Sequence, residues 1–429
     1  MPSNIPQAPS NAILRLQARR DKISQLAANE IKTKIESLKA RPDYKIEYSY
    51  FLDLLSAPLA SRLAAINKPA VAFLCQVAPL ELIEAHGLHP YRLFGGHHAS
   101  ERLSAPNLPA VMCPMLRSLL GHLMTLDLGG DDSFKALIIP TMCDWTVKFD
   151  SLSNLCGLKL PKVHLMDPSR VKNSPQAPKR WLGETSSLNK FLESLSGRKI
   201  GPRELSRAIE TYQEAYLGFS QLIDLKRKLR LPQIWFSVIA SSFYLDTVQN
   251  WTKAVKGLLA ALCLKDKIET NDGHNKKSQN VFLAGSPIFF PNFKMLDLLE
   301  EAGLMVVIDD LCSSERLLPG PVFITDHSFY GLLTALSQRY HLGCLCPTFA
   351  DHHHAVNKFT NIFINPIFKG IIFHVLKGCH LFDLKSLAVE PNVKELGIKF
   401  LRVETDYAKE DANTLLTRLE AFGSSLGVA

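Results

Sequence analysis

Cys113, Cys143, Cys312, Cys344, Cys346 and Cys379, six of the chain's nine cysteines, fall where a strand is expected to have ended and a loop or helix to be beginning. Thiolates are the ligands iron prefers, and a helix N-terminus helps to hold a thiol deprotonated because its free N–H groups and dipole favour negative charge. The placement points to an iron–sulfur site. Taken singly, a free cysteine usually behaves as a small buried apolar group, and Cys75, Cys156 and Cys263 are read that way. What sets the six apart is shared context: most are followed by polar residues or Pro, and Cys344-Leu345-Cys346 offers two thiols in one loop. Asp144 and His380 each directly follow one of the six, so they are the candidate catalytic groups, able to donate to sulfur through backbone N–H or to relay protons to a substrate.

Elements that could gather such distant residues are visible in the patterning. From Pro69, apolar runs alternate with amphipathic ones: PAVAFLCQ, PLELIEAHG, KALIIPTM, a helical pattern from Asp144, then KVHLMD. The alternation resumes with VFLAGSPI, NFKMLDLLEEAG, MVVIDDL, helical patterns near 331–340 and 355–363, GIIFHVL, KFLRVETD and a last helix from Glu410. It argues for parallel sheets with crossover helices. The expected fold is therefore α/β, with two Rossmann-like parallel-sheet domains and a helical N-terminal and linking region. The boundaries read as 1–68 (helical), 69–180 (first α/β domain), 181–277 (helical linking region) and 278–429 (second α/β domain). Pro168 to Gly201, rich in Pro, Ser, Lys and Gly, reads as a linker. In open parallel sheets ligands bind outside the carboxyl ends of the strands, which would put the thiols between the two domains.

Composition bounds the function. With 429 residues, 46% hydrophobic and 21% charged, the chain suits a globular protein of two domains. The most apolar stretch, Leu231 to Leu245, is interrupted by Pro232, Gln233 and serines and is too short for a bilayer, so it reads as a buried helix and no membrane is expected. The start, MPSNIPQAPSN, lacks the basic-then-apolar order of a secretory signal; a cytoplasmic location and reduced thiols are expected. The formal charge is +8, with Lys and Arg scattered, so no nucleic acid is expected, and the charge suits a solvated surface that draws anionic substrates or acidic partners. His97-His98 and His352-His353-His354 lack the paired spacing of a structural zinc site. Gly95-Gly96 and Gly129-Gly130 read as turns, no phosphate-binding glycine motif occurs, and Gly285-Ser286-Pro287 reads as a turn that could approach a ligand.

Several segments together resemble the family of 2-hydroxyacyl-CoA dehydratases and benzoyl-CoA reductases: Cys113-Pro114-Met115-Leu116-Arg117-Ser118, Thr141-Met142-Cys143-Asp144, Gly343-Cys344-Leu345-Cys346, Gly378-Cys379-His380, Glu404-Thr405-Asp406-Tyr407 and Thr417-Arg418-Leu419-Glu420-Ala421-Phe422. The resemblance implies that Cys113, Cys143 and Cys379 ligate a 4Fe-4S cluster. Cys312, Cys344 and Cys346 extend the likeness to the double-cubane branch, implying an 8Fe-9S cluster on six thiolates, three per cubane. It further implies a homodimer, a separate ATP-hydrolysing iron–sulfur activator that feeds electrons singly, and ATP-coupled reduction of a small or unreactive substrate. Two alternatives stand beside it. One is a dehydratase or benzoyl-CoA reductase subunit with a single 4Fe-4S cluster, an acyl-CoA substrate and an unlike partner subunit; the other is a non-catalytic electron carrier or cluster-assembly factor. The His352 run, and Lys369-Gly370 in place of a common Asp-Gly, depart from the family's pattern.

Overall fold

The computed structural model describes residues 11–126, 134–266, 278–318, 320–350 and 367–427. The His352-His353-His354 run, the helical pattern at 355–363 and Gly129-Gly130 lie outside the described residues. In chain order the helices are α1 (Asn11–Lys39), α2 (Ser49–Ser56), α3 (Leu59–Ile66), α4 (Leu80–Ala85), α5 (His98–Ser104), α6 (Pro114–Thr125), α7 (Asp144–Val147), α8 (Phe149–Leu155), α9 (Ala177–Ser196), α10 (Pro202–Leu229), α11 (Gln233–Ser242), α12 (Val248–Asp266), α13 (Lys294–Glu301), α14 (Phe329–Gly343), α15 (His380–Glu395) and α16 (Ala412–Gly427). The strands are β1 (Ala70–Phe73), β2 (His89–Arg92), β3 (Ala136–Pro140), β4 (Lys162–Met166), β5 (Gln279–Gly285), β6 (Leu304–Asp310), β7 (Gly370–Leu376) and β8 (Lys399–Thr405).

The strands form two four-stranded sheets, ordered β2-β1-β3-β4 and β6-β5-β7-β8, and every pairing is parallel. The fold is α/β with two parallel sheets and a helical N-terminus, in keeping with the sequence reading. Each sheet repeats one order, second-first-third-fourth, so in each the chain leaves its first strand toward one side and returns to pair on the other. That reversal opens a crevice between the first and third strands at their carboxyl ends. Of the central strands, β1, β3 and β7 are buried completely and β5 from Val281 onward, which is why their sequences carry apolar runs. β2, HPYR, carries no strand pattern. It pairs only with β1 at the sheet edge, where Pro90 is tolerated because the missing N–H has no neighbour to reach.

The helices between the sheets form a shared core. α11 is buried at every residue, as the apolar stretch required, and among the described residues no helix is long and apolar enough to cross a membrane. α9 corrects the linker reading of residues 168–201. Its composition is polar, but Trp181, Thr185, Leu188 and Leu192 fall on one face and are buried, and an apolar stripe at helical spacing outweighs the turn-forming residues around it. α1 reaches both halves: Glu30 accepts from the Ala99 N–H at 2.8 Å, and Lys34 pairs with Asp297 at 2.7 Å.

Candidate metal centre between the two sheets

The carboxyl ends of both sheets face one cavity. All six cysteines singled out from the sequence line it, and Cys75 does too. Cys75 lies two residues beyond β1, a strand-end placement shared by Cys143 after β3, Cys312 after β6 and Cys379 after β7, whereas Cys113, Cys344 and Cys346 do not follow a strand as the sequence led one to expect. The apolar neighbours of Cys75 disguise it as filler, whereas Cys156 and Cys263 do not line the cavity.

Cys113, Cys143 and Cys379 are N-caps of α6, α7 and α15. β3 and β7 are the third strands of their sheets, and each is followed three residues later by a cysteine that opens a helix, so Cys143 and Cys379 occupy equivalent positions in the two halves. Thr146 clamps Cys143: its Oγ1 accepts from the Cys143 N–H at 2.9 Å and donates to the Cys143 carbonyl at 2.8 Å. Gly378 is left-handed (φ 72°), and a Cβ there would collide with the carbonyl of Val111. Only glycine lets the loop carrying Cys379 lie against the loop carrying Cys113.

The thiol of Cys113 hydrogen-bonds Cys379 and holds it down to about 7 against the effect of burial, helped by the Phe382 N–H and the Ser286 hydroxyl. The same bond, with burial, raises Cys113 well above the usual thiol range. Ser286 is itself fixed, accepting from the Leu376 N–H at 3.0 Å, and Pro287 lines the cavity. The Gly285-Ser286-Pro287 turn therefore does approach the candidate centre.

The second set is built differently. Cys312 follows β6, Cys344 is the C-cap of α14, and Cys346 stands in the loop beyond. Lys172 donates to the Cys344 carbonyl at 2.8 Å, and Arg316 donates to the Leu345 carbonyl at 2.8 Å. Burial raises Cys344 and Cys346, and pushes Cys75 up to about 12. Cys75, Cys312, Cys344 and Cys346 act electrostatically on one another, and Cys379 acts on both Cys113 and Cys143. The cavity thus holds two thiol groups, one of three and one of four.

Among the described residues no three His, Cys, Asp or Glu side chains converge to hold a single metal ion. In a cluster each thiolate binds its own iron, so its ligands need not meet at a point. The donors fit such a group on two counts. They are all soft sulfur, and they are buried thiols whose ionised form requires a nearby cation, which a bound metal supplies. The cavity wall also holds unpartnered buried polar atoms, Gln76 Oε1 and Arg92 Nε. Neither arginine of the wall, Arg92 or Arg316, carries a sequence signal.

The side chains of Asp144 and His380 do not line the cavity. Each is the first residue of its helix, exposed, and absent from the cavity wall. The preceding cysteine turns inward as the cap, which aims the next side chain outward. Their adjacency to the thiols in sequence does not become proximity of side chain to cavity.

A family model described as 2-hydroxyglutaryl-CoA dehydratase, D-component, matches residues 75–426. The putative dehydratase subunit YjiM of Escherichia coli (strain K12) is 24% identical over 359 residues, 82% of this chain and 90% of its own. The beta subunit of (R)-phenyllactyl-CoA dehydratase from Clostridium sporogenes is 22% identical over 391 residues, 88% of this chain and 98% of its own. One of the subunits of benzoyl-CoA reductase from Thauera aromatica is 24% identical over 264 residues, 60% of this chain and 64% of its own.

Proposed function

The chain belongs to the 2-hydroxyglutaryl-CoA dehydratase D-component family, and from that premise we propose that it is the reductase component of an activator-dependent system, with an 8Fe-9S double cubane between its two α/β halves. It is an enzyme component of a family of iron–sulfur proteins. In this reading Cys113, Cys143 and Cys379 hold one cubane and Cys312, Cys344 and Cys346 the other. The observation that carries it is the convergence of both thiol groups on one cavity.

Bound there, the cluster supplies one-electron chemistry that side chains cannot perform. The protein contributes position and environment. The N-terminus of the helix at Cys379 favours its thiolate, Thr146 and Ser286 fix Cys143 and Cys379 in place, and Phe94, Phe289, Leu381 and Phe382 keep the walls apolar. An apolar wall suits the acyl part of a small substrate such as an acyl-CoA thioester, the class for which two of the relatives are named. Electrons arrive singly from an ATP-hydrolysing iron–sulfur activator, and two copies of the chain form a homodimer in the cytoplasm.

Iron and sulfide counting on protein isolated without oxygen tests this. The double cubane requires about eight irons per chain, and about four would leave the single-cluster dehydratase subunit.

A further inference from the structure

Charge on the cavity wall is confined to one side. Arg92 and Arg316 are its charged side chains apart from the thiols, and both act on the Cys312 group rather than on the Cys113 trio. Arg92 is felt by Cys312 and Cys75, and Arg316 by Cys312, Cys346 and Cys344. The two arginines differ in what balances them. Arg316 pairs with Asp310 at 3.0 Å and donates to the carbonyls of Asp310 and Leu345. Arg92 is 4% exposed and has no carboxylate partner among the described residues. It donates to the Cys312 carbonyl at 3.3 Å and lies 5.1 Å from the Phe289 ring centre and 5.6 Å from that of Tyr244. Its Nε has no partner.

A buried cation without a counter-charge is strongly unfavourable unless an anion shares its site. The cavity next to it presents four thiols. The Cys113 trio, by contrast, has the backbone dipoles of helix N-termini and neutral hydrogen-bond donors around it.

We propose that Arg92 is a positioning residue that serves as the counter-charge for the iron–sulfur unit held by Cys312, Cys344 and Cys346, raising that unit's reduction potential and helping to retain it, while the unit on Cys113, Cys143 and Cys379 has no cationic side chain beside it on the wall. The inference rests on the two-cubane reading. Each reduction transfers one electron and no proton to a unit, so its charge becomes more negative by one, and the fixed cation stabilises the reduced form.

The test uses the full chain, reconstituted with iron and sulfide without oxygen, as wild type, Arg92→Met and Arg92→Lys. Redox titration with titanium(III) citrate, itself oxidised to titanium(IV) as it gives up each electron, is followed by electron paramagnetic resonance, with iron counted on each sample. In Arg92→Met one couple is expected to become harder to reduce by about tenfold in its equilibrium constant, 59 mV for one electron, while the other couple stays in place and Arg92→Lys recovers most of the shift. Loss of about half the iron from Arg92→Met, with an unchanged circular dichroism spectrum and an unmoved remaining couple, would equally support the assignment through retention.

Eight irons with both couples unmoved, or both moved alike, would overturn it and leave the two-cubane reading standing. So would a lysine variant that behaves like the methionine one. About four irons in the wild type would remove the reading and the inference together.

Discussion

Glu81→Gln should be among the most damaging single changes outside the thiols. Glu81 on α4 is fully buried, and it joins the first half of the chain to α14 in the second. One carboxylate oxygen pairs with Arg339 and the other accepts from the Tyr340 hydroxyl at 2.8 Å, while that hydroxyl accepts from the Leu80 N–H at 3.1 Å. The two ionic side chains are 0% and 3% exposed, so solvent screens almost none of the interaction. Glutamine keeps the shape and one acceptor but removes the anion that balances Arg339, whose other acceptor is the Gly320 carbonyl at 2.6 Å. Breaking a buried pair in this way costs about 3–5 kcal/mol. Because α14 ends at Cys344, looser docking of that helix should also reduce iron held by the Cys312 group. The assay is urea unfolding followed by far-UV circular dichroism, with iron counted in parallel. The double variant Glu81→Leu/Arg339→Leu, which leaves no orphaned charge, should be less destabilised than Glu81→Gln. A loss below about 1 kcal/mol for Glu81→Gln, within the range of an exposed pair, would refute the argument that this contact locks α14 in place.

Under the proposed double cubane, Cys344→Ala and Cys346→Ala should each lower the iron content of anaerobically isolated protein, whereas Cys75→Ala should leave it near the wild-type value because six thiolates would suffice for that cluster; unchanged iron in the first two would point to the trio alone. Gly378→Ala should destabilise the chain by more than about 1 kcal/mol and lower iron retention, since the added methyl meets Val111 and displaces both Cys113 and Cys379; thermal unfolding and iron analysis read the two effects. Stability should fall as pH drops from about 6.5 towards 4. His97 is held down to about 3, and His89, His122 and His374 to about 4, each chiefly by burial. Above the ordinary histidine value both states are neutral and contribute nothing; below it the unfolded chain takes up protons that the native chain refuses, until the native groups titrate. His122→Phe, which can still stack on His97, should flatten part of that slope in urea midpoints measured across the range.

The sheets are readable because parallel strands are buried on both faces and so appear as apolar runs. β2 is buried yet lacks that signal and escapes a sequence reading, while the other edge strands, β4, β6 and β8, keep it: HPYR owes its conformation to pairing with β1, not to its own residues. α9 is hidden by the same kind of mismatch, a polar composition concealing four buried side chains at helical spacing. At the site, thiol type and strand-end position together mark Cys143, Cys312 and Cys379, while Cys113, Cys344 and Cys346 share the cavity without following a strand. Cys75 meets the positional criterion equally, and the apolarity of its neighbours, which masks it, reflects β1 and not the thiol. Asp144 and His380 stand out by adjacency in sequence, and a helix start reverses adjacency: the cap faces in and the next residue faces out. Arg92 has no local sign at all, since its importance depends on the absence of a carboxylate that only the folded arrangement reveals.

α1 is 29 residues long, about 43 Å of continuous helix at 1.5 Å per residue, and contributes no lining residue to the cavity. Yet it is braced on α5 through Glu30 and on α13 through Lys34, while Arg41, just past its end, pairs with Glu300 at 2.7 Å. It works as a splint across the joint. The gap between the opposing sulfur groups is thus gauged partly by a rod remote from them, and shortening the chain from its front would spare every thiol while slackening the calliper that sets their separation.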